Sequence, residues 1–101
     1  MRMTLTASFP VETFNEVVRN GQAGPAMRAI LEYLKPEAAY FMDDCGQRTA
    51  VLIIDIASAS EIPRFVEPFF LRFNADCTLK VVMSPEDLAS SGLDELGKKW
   101  G

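Results

Sequence analysis

Between Tyr40 and Ile56 the chain reads Tyr-Phe-Met-Asp-Asp-Cys-Gly-Gln-Arg-Thr-Ala-Val-Leu-Ile-Ile-Asp-Ile, two β-rich runs on either side of a polar turn that contains Gly46. This is the pattern of a β-hairpin, predicted over residues 38 to 44 and 48 to 57. The second run is apolar enough for a central strand, apart from one carboxylate, Asp55. A Cys45-Gly46 turn, or the four-residue version with Asp44 and Gln47, pairs Met42 with Thr49 and Tyr40 with Val51. Side chains alternate along a strand, so that register assigns every residue of the hairpin to one face or the other.

The rest of the chain has to supply partners for this hairpin. Residues 2 to 9 alternate Arg2, Thr4, Thr6 and Ser8 with Met3, Leu5, Ala7 and Phe9, a strand with one polar and one apolar face. Pro10 and Glu12 suit a helix start, and Val11, Phe14, Val17 and Val18 form an apolar stripe. Gly21-Gln-Ala-Gly24 interrupts that stripe, Pro25 opens a second helical piece carrying Met27, Ile30, Leu31 and Leu34, and Lys35-Pro36 ends it. After the hairpin, Ser58 and Glu61 have capping-box spacing, and Ile62, Phe65, Val66, Phe69, Phe70 and Phe73 give a heavily aromatic helical face. Pro68 removes a ladder bond and clashes one turn back, which predicts a kink or break near Arg64 to Pro68. Residues 76 to 83 read as a fourth strand, and Ser84-Pro85-Glu86-Asp87 starts a tail helix carrying Leu88, Leu93, Leu96 and Trp100.

The resulting order is β-α-β-β-α-β with a C-terminal helical extension: an α+β fold of one domain, residues 1–101, with a core over 1–83 and the extension over 84–101. It matches the ferredoxin-like arrangement, for which the strand order 4-1-3-2 makes the sheet antiparallel, with strands one and three central and both main helices on one face. One face of that sheet then collects Met3, Leu5, Ala7, Ala39, Phe41, Ala50, Leu52, Ile54, Ile56, Leu79 and Val81, almost purely apolar. The other collects Thr4, Thr6, Ser8, Tyr40, Met42, Thr49, Val51, Ile53, Asp55, Thr78, Lys80 and Val82. This mixed face is too apolar for water and too polar for an ordinary core, which predicts a partner against it.

Segment order and short length resemble the dimeric α+β barrel superfamily, which includes muconolactone isomerase-like and antibiotic-biosynthesis monooxygenase-like proteins. The tail, from Met83-Ser-Pro-Glu-Asp-Leu to Leu-Gly-Lys-Lys-Trp, is similar to the ending of an uncharacterised small bacterial family of that kind. The resemblance implies a homodimer in which two such sheets pack face to face through the mixed face. It transfers no catalytic residue, because the likeness is one of architecture.

Composition narrows the chemistry. The chain has 101 residues, a net charge of −4 and no histidine. The missing imidazole excludes Ser-His-Asp, Cys-His and imidazole-metal designs. Scattered basic residues on an acidic chain argue against a phosphate-gripping surface and hence against nucleic acid. No apolar run approaches membrane-spanning length, and the polar N-terminus lacks a secretory h-region, so a cytoplasmic location is expected, without a membrane partner. Cys45 and Cys77 have neither metal spacing nor a disulfide framework and are expected as free thiols. Asp43-Asp44 beside a turn lacks the further oxygen ligands of a cation loop. Neither a metal nor a cofactor is therefore expected.

The candidate ligand-binding residues are Thr4, Thr6, Tyr40, Asp55 and Lys80, all on the mixed face. A carboxylate in an apolar strand needs a partner or an exit to water, and Arg2, Thr4 and Lys80 are the nearest candidates for Asp55. The simpler reading is a structural or interface ion pair; the sharper one is a base or ligand anchor. Tyr40 is read either as packing with a hydrogen-bonded tip or as a group orienting a ligand oxygen. Because Pro68 loosens the helix bearing the Phe65, Phe69, Phe70 and Phe73 rings, an aromatic-lined pocket between helices and sheet is a further reading of what is most simply core. Three functional expectations remain open: a small homodimeric domain binding a partly apolar small molecule in the barrel or the helix-sheet cleft; a cofactor-independent isomerase or monooxygenase-like enzyme using Asp55 with Tyr40 or Lys80; and a regulatory or assembly subunit docking through its C-terminal helix.

Overall fold

The computed structural model describes all residues from Met1 to Gly101. Its strands are β1 (Arg2–Ser8), β2 (Ala38–Asp44), β3 (Gln47–Asp55) and β4 (Asp76–Val81), and its helices are α1 (Val11–Arg19), α2 (Ala23–Leu34), α3 (Ile62–Phe73), α4 (Pro85–Ala89) and α5 (Leu93–Trp100). The four strands make one antiparallel sheet in the order β2-β3-β1-β4, so β1 and β3 are central. The hairpin closes with a two-residue turn: Met42 faces Thr49, Tyr40 faces Val51, and the turn residues Cys45 and Gly46 have φ of 53° and 79°. Two successive positive φ values give a turn whose twist matches that of the strands, and glycine takes the second of them without steric cost.

Sheet alternation directs the core. Leu5, Ala7, Ala50 and Leu52 have no exposed surface, and they join Met3, Ile54 and Ile56 in one buried cluster with Phe9, Ile30, Leu34, Phe65, Val66, Phe69, Phe73 and Ala75. α1, α2 and α3 therefore lie over the apolar face. Phe41 and Val81, on the same face but on the two edge strands, escape this cover and are more than half exposed. The centre of the cluster is aromatic: the Phe9 ring lies 5.0 Å from Phe14, 5.1 Å from Phe73 and 6.1 Å from Phe69, and Phe14 stacks on Phe73 at 5.1 Å. α3 is tied to α2 at the surface by Arg64, which donates to the Tyr33 carbonyl at 3.2 Å and lies over the Tyr33 and Phe65 rings.

Several boundaries differ from the sequence expectation. α3 runs unbroken from Ile62 to Phe73 with Pro68 inside it, so of the expected kink or break near Arg64 to Pro68 the break does not occur. The Phe65, Phe69 and Phe73 rings, buried along one face, hold the helix together across the weakened turn. The Ser58-Glu61 capping box is present, but it caps a single 3₁₀ turn, Ala59–Glu61, that leads into α3. α2 starts two residues ahead of Pro25, at Ala23. The tail is two helices, separated by a Ser90-Ser91-Gly92 link in which Gly92 has φ of 75°.

The tail also shapes the molecule. The radius of gyration is 17.0 Å and the extents are 59 × 28 × 19 Å, against about 13 Å for a compact domain of similar length. α4 and α5 stand off the core, leaving Leu88, Leu93, Leu96 and Trp100 exposed.

Two substitutions test this packing. Phe69→Ala should lower unfolding stability by about 3–5 kcal/mol, as for a large-to-small change at a fully enclosed ring. Pro68→Ala should raise it, by up to about 3 kcal/mol, because a helix-interior alanine restores the missing ladder bond. Urea unfolding of both variants at one protein concentration measures each change, and an unaltered midpoint for Phe69→Ala would contradict the core described.

Candidate functional site

No helix covers the second face of the sheet. Strand register lays it out in rows across β2, β3, β1 and β4: Met42, Thr49, Ser8 and Asp76; then Tyr40, Val51, Thr6 and Thr78; then Ala38, Ile53, Thr4 and Lys80. Tyr40 and Met42 are exposed, while Thr4, Thr6, Val51 and Ile53 are half-buried by their own neighbours. Thr49 departs from the pattern: it is 1% exposed, lies between Ser8 and Met42, and its hydroxyl donates to the Gln47 carbonyl at 3.1 Å. Ser8 in turn donates to Gln47 Oε1 at 2.7 Å, so this corner of the face is internally satisfied.

The five candidate residues do not form one cluster. Thr4 and Lys80 are direct cross-strand neighbours. Thr6 shares a row with Tyr40, separated from it by Val51. Asp55 sits at the far end of β3 opposite Arg2, four positions beyond the Val51 that faces Tyr40, roughly 13 Å along the strand. None of the five lines any cavity of the chain.

Asp55 is not held by the expected residues. Its Oδ1 accepts from the α-ammonium of Met1 at 2.8 Å, and the same ammonium donates to the Ile56 carbonyl at 2.8 Å. Arg2 instead turns to Glu37, with Nε 2.9 Å and Nη2 3.3 Å from the two carboxylate oxygens. The reason is the strand end: the Ile56 N–H donates to the Met1 carbonyl, which draws the first residue alongside β3, while Glu37 anchors to the Ile53 carbonyl one strand away. Hydrogen bonding from the ammonium, then its charge, holds the Asp55 carboxyl below the usual carboxylate range. At 70% exposure its side chain is in water, so the strand's apolar pattern never carries a buried charge.

An open cavity lies elsewhere, between the helices and the hairpin. This groove of about 520 Å³ is lined by Phe9, Phe14, Met27, Phe41, Asp43, Gly46 and Arg48, with Met42 and Thr49 completing it. The residue after β1 is Phe9 and the first turn of α1 delivers Phe14, α2 delivers Met27, and the β2 edge delivers Phe41 and Asp43. Arg48 enters from β3 with a fixed guanidinium: Nη1 donates to Asn15 Oδ1 at 2.9 Å, and the group lies 4.9 Å above the Phe14 ring. An aromatic-lined pocket between helices and sheet is thus present, but its rings come from β1, α1 and β2 rather than from α3, whose Phe69 and Phe73 fill the core. The sequence signal for it was Phe41, an apolar residue on an edge strand where the helices run out.

Smaller features add no chemistry. A pocket of about 150 Å³ lies between Met1, Met3, Ile56 and Ile62, and a shallow groove of about 260 Å³ runs between α2 and α3 beside Tyr33 and Leu71. Cys45 is exposed at the hairpin tip, and Cys77 is half-buried on β4, where burial pushes its thiol up to about 11. No group of three or more His, Cys, Asp or Glu side chains is placed to share a metal ion, and no helix is long and apolar enough to cross a membrane.

Compared with protein-family models, with curated proteins and with solved structures, the chain matches none.

The pairing of Asp55 has a pH consequence. Its folded pKa is depressed, so its contribution to stability is present above the ordinary carboxylate range and is lost as pH falls through the depressed value. Residues fused ahead of Met1 move the ammonium away, and the Asp55 carboxyl should then titrate in the ordinary range. A carbon-detected NMR titration of both forms measures the difference; identical curves would show that the ammonium is not its partner.

Proposed function

We propose that this chain is a ferredoxin-like domain which pairs through its open sheet face as a dimeric α+β barrel and binds a small, partly apolar molecule in the groove between helices and hairpin. The observation that carries the binding is the groove itself, about 520 Å³ walled by Phe9, Phe14, Met27 and Phe41, within the size range of small-molecule sites and with few polar groups to set orientation. For the fold, the order β2-β3-β1-β4 reads 4-1-3-2 from the other edge. For pairing, Tyr40, Met42, Val51 and Ile53 make a continuous mixed patch on a face that no element of the chain covers. The enzymatic alternative draws no support from Asp55, which is ion-paired in solvent and remote from Tyr40.

A second reading is favoured by the tail. α4 and α5 hold Leu88, Leu93, Leu96 and Trp100 in water on helices too short to be stable alone. A tail of that kind is an assembly element, docking on a second subunit or on another protein.

The two readings separate in solution. Phe41 is 56% exposed, so Phe41→Ala should leave folding intact while weakening binding of a neutral naphthyl probe roughly tenfold, the effect of losing one ring from the wall. Probe binding unchanged by this substitution would remove the groove from consideration. In sedimentation velocity at micromolar concentration the full chain should run as a dimer, and a monomer would sink the pairing. Deleting residues 85–101 should reduce assembly or solubility if the tail docks; unchanged behaviour would dismiss that role.

A further inference from the structure

We infer that the groove selects a carboxylate with an apolar body, its head group taken by Arg48; this rests on the groove being a binding site. Arg48 has an orientation but makes no ion pair. The four ion pairs of the chain are Met1 with Asp55, Arg2 with Glu37, Arg19 with Glu16 and Lys98 with Glu95, and none of them uses Arg48. One of its N–H groups is occupied by Asn15 and its lower face by the Phe14 ring. A guanidinium has five N–H donors in a planar fork that fits a carboxylate bidentately, so donors remain for a ligand. The rings of Phe9, Phe14 and Phe41 and the Met27 side chain adjoin it in the same groove. A charged head beside an apolar wall is matched by a molecule with both features.

Asp43 sharpens the class. It faces Arg48 directly in the β2-β3 register and lines the same groove, yet the two make no ion pair within 4.0 Å because Arg48 is drawn toward Asn15 and Phe14. A second negative charge close to Asp43 is repelled, which favours a single carboxylate over a doubly charged phosphate ester. The carboxylate therefore meets the guanidinium on the edge turned from Asp43, with its apolar body along Phe14 and Phe41.

Titration of the full chain with 1-naphthylacetate and with its neutral primary amide, followed by naphthyl fluorescence, tests this. The carboxylate should bind about ten times more tightly than the amide. Arg48→Gln should abolish that preference while leaving amide binding in place, Arg48→Lys should keep part of it, and Asp43→Asn should tighten the carboxylate several-fold without affecting the amide. Circular dichroism confirms that these exposed positions leave the fold intact. Equal binding of acid and amide, or a preference that survives Arg48→Gln, overturns the carboxylate inference and leaves the groove as an apolar site. Failure of both probes to bind overturns the groove reading as well.

Discussion

The structure depends on one aromatic contact more than on any other, the seating of Phe9 among Phe14, Phe69 and Phe73 at centroid distances of 5.0–6.1 Å. Phe9 follows directly on β1, a central strand, and is 1% exposed. Its ring joins the first strand to the first helix and to the third, whose Phe69 and Phe73 lie sixty or more residues further along the chain. Non-local contacts of this kind close long loops, and the burial of several rings together offsets that entropy. The same cluster explains why α3 survives Pro68: one lost backbone bond is a smaller effect than the removal of Phe65, Phe69 and Phe73 from the core.

The candidate site is a continuation of that cluster rather than a separate feature. Phe14 stacks on Phe73 in the interior and carries the Arg48 guanidinium at the groove, so the site's cation rests on a ring that the core has already immobilised. Positioning by packed rings is what gives a binding group a defined direction before a ligand arrives. Phe41 completes the wall because the hairpin projects past the helices, leaving an apolar edge residue without cover.

The opposite side of the sheet and the tail raise a different physical question, that of unsatisfied apolar surface. A sheet with helices on one face only presents its other face to solvent or to a partner. Here that face holds Tyr40, Met42, Val51 and Ile53 among threonines, and the tail holds a second apolar stripe away from the domain. Each is a surface that lowers its free energy by being covered.

The antiparallel hairpin, its register, the two faces of the sheet and the tail's helix start were all legible in the sequence, because each is local: period-two alternation, a Cys45-Gly46 turn and a Ser84-Pro85 cap act over a few residues. Tertiary structure alone decided the rest. Asp55, a carboxylate in an apolar strand, called for a partner or an exit to water; the strand end brings Met1 rather than Arg2, Thr4 or Lys80 beside it and leaves it in water. Pro68 pointed to a kink or a break, and the helix continues through it on rings buried against distant elements. Arg48 was one of several hairpin polar residues until α1 supplied Asn15 and Phe14 beneath it. Local periodicity tells which way a side chain points; what it meets there depends on where the other elements end, and that is set by the packing of the whole chain.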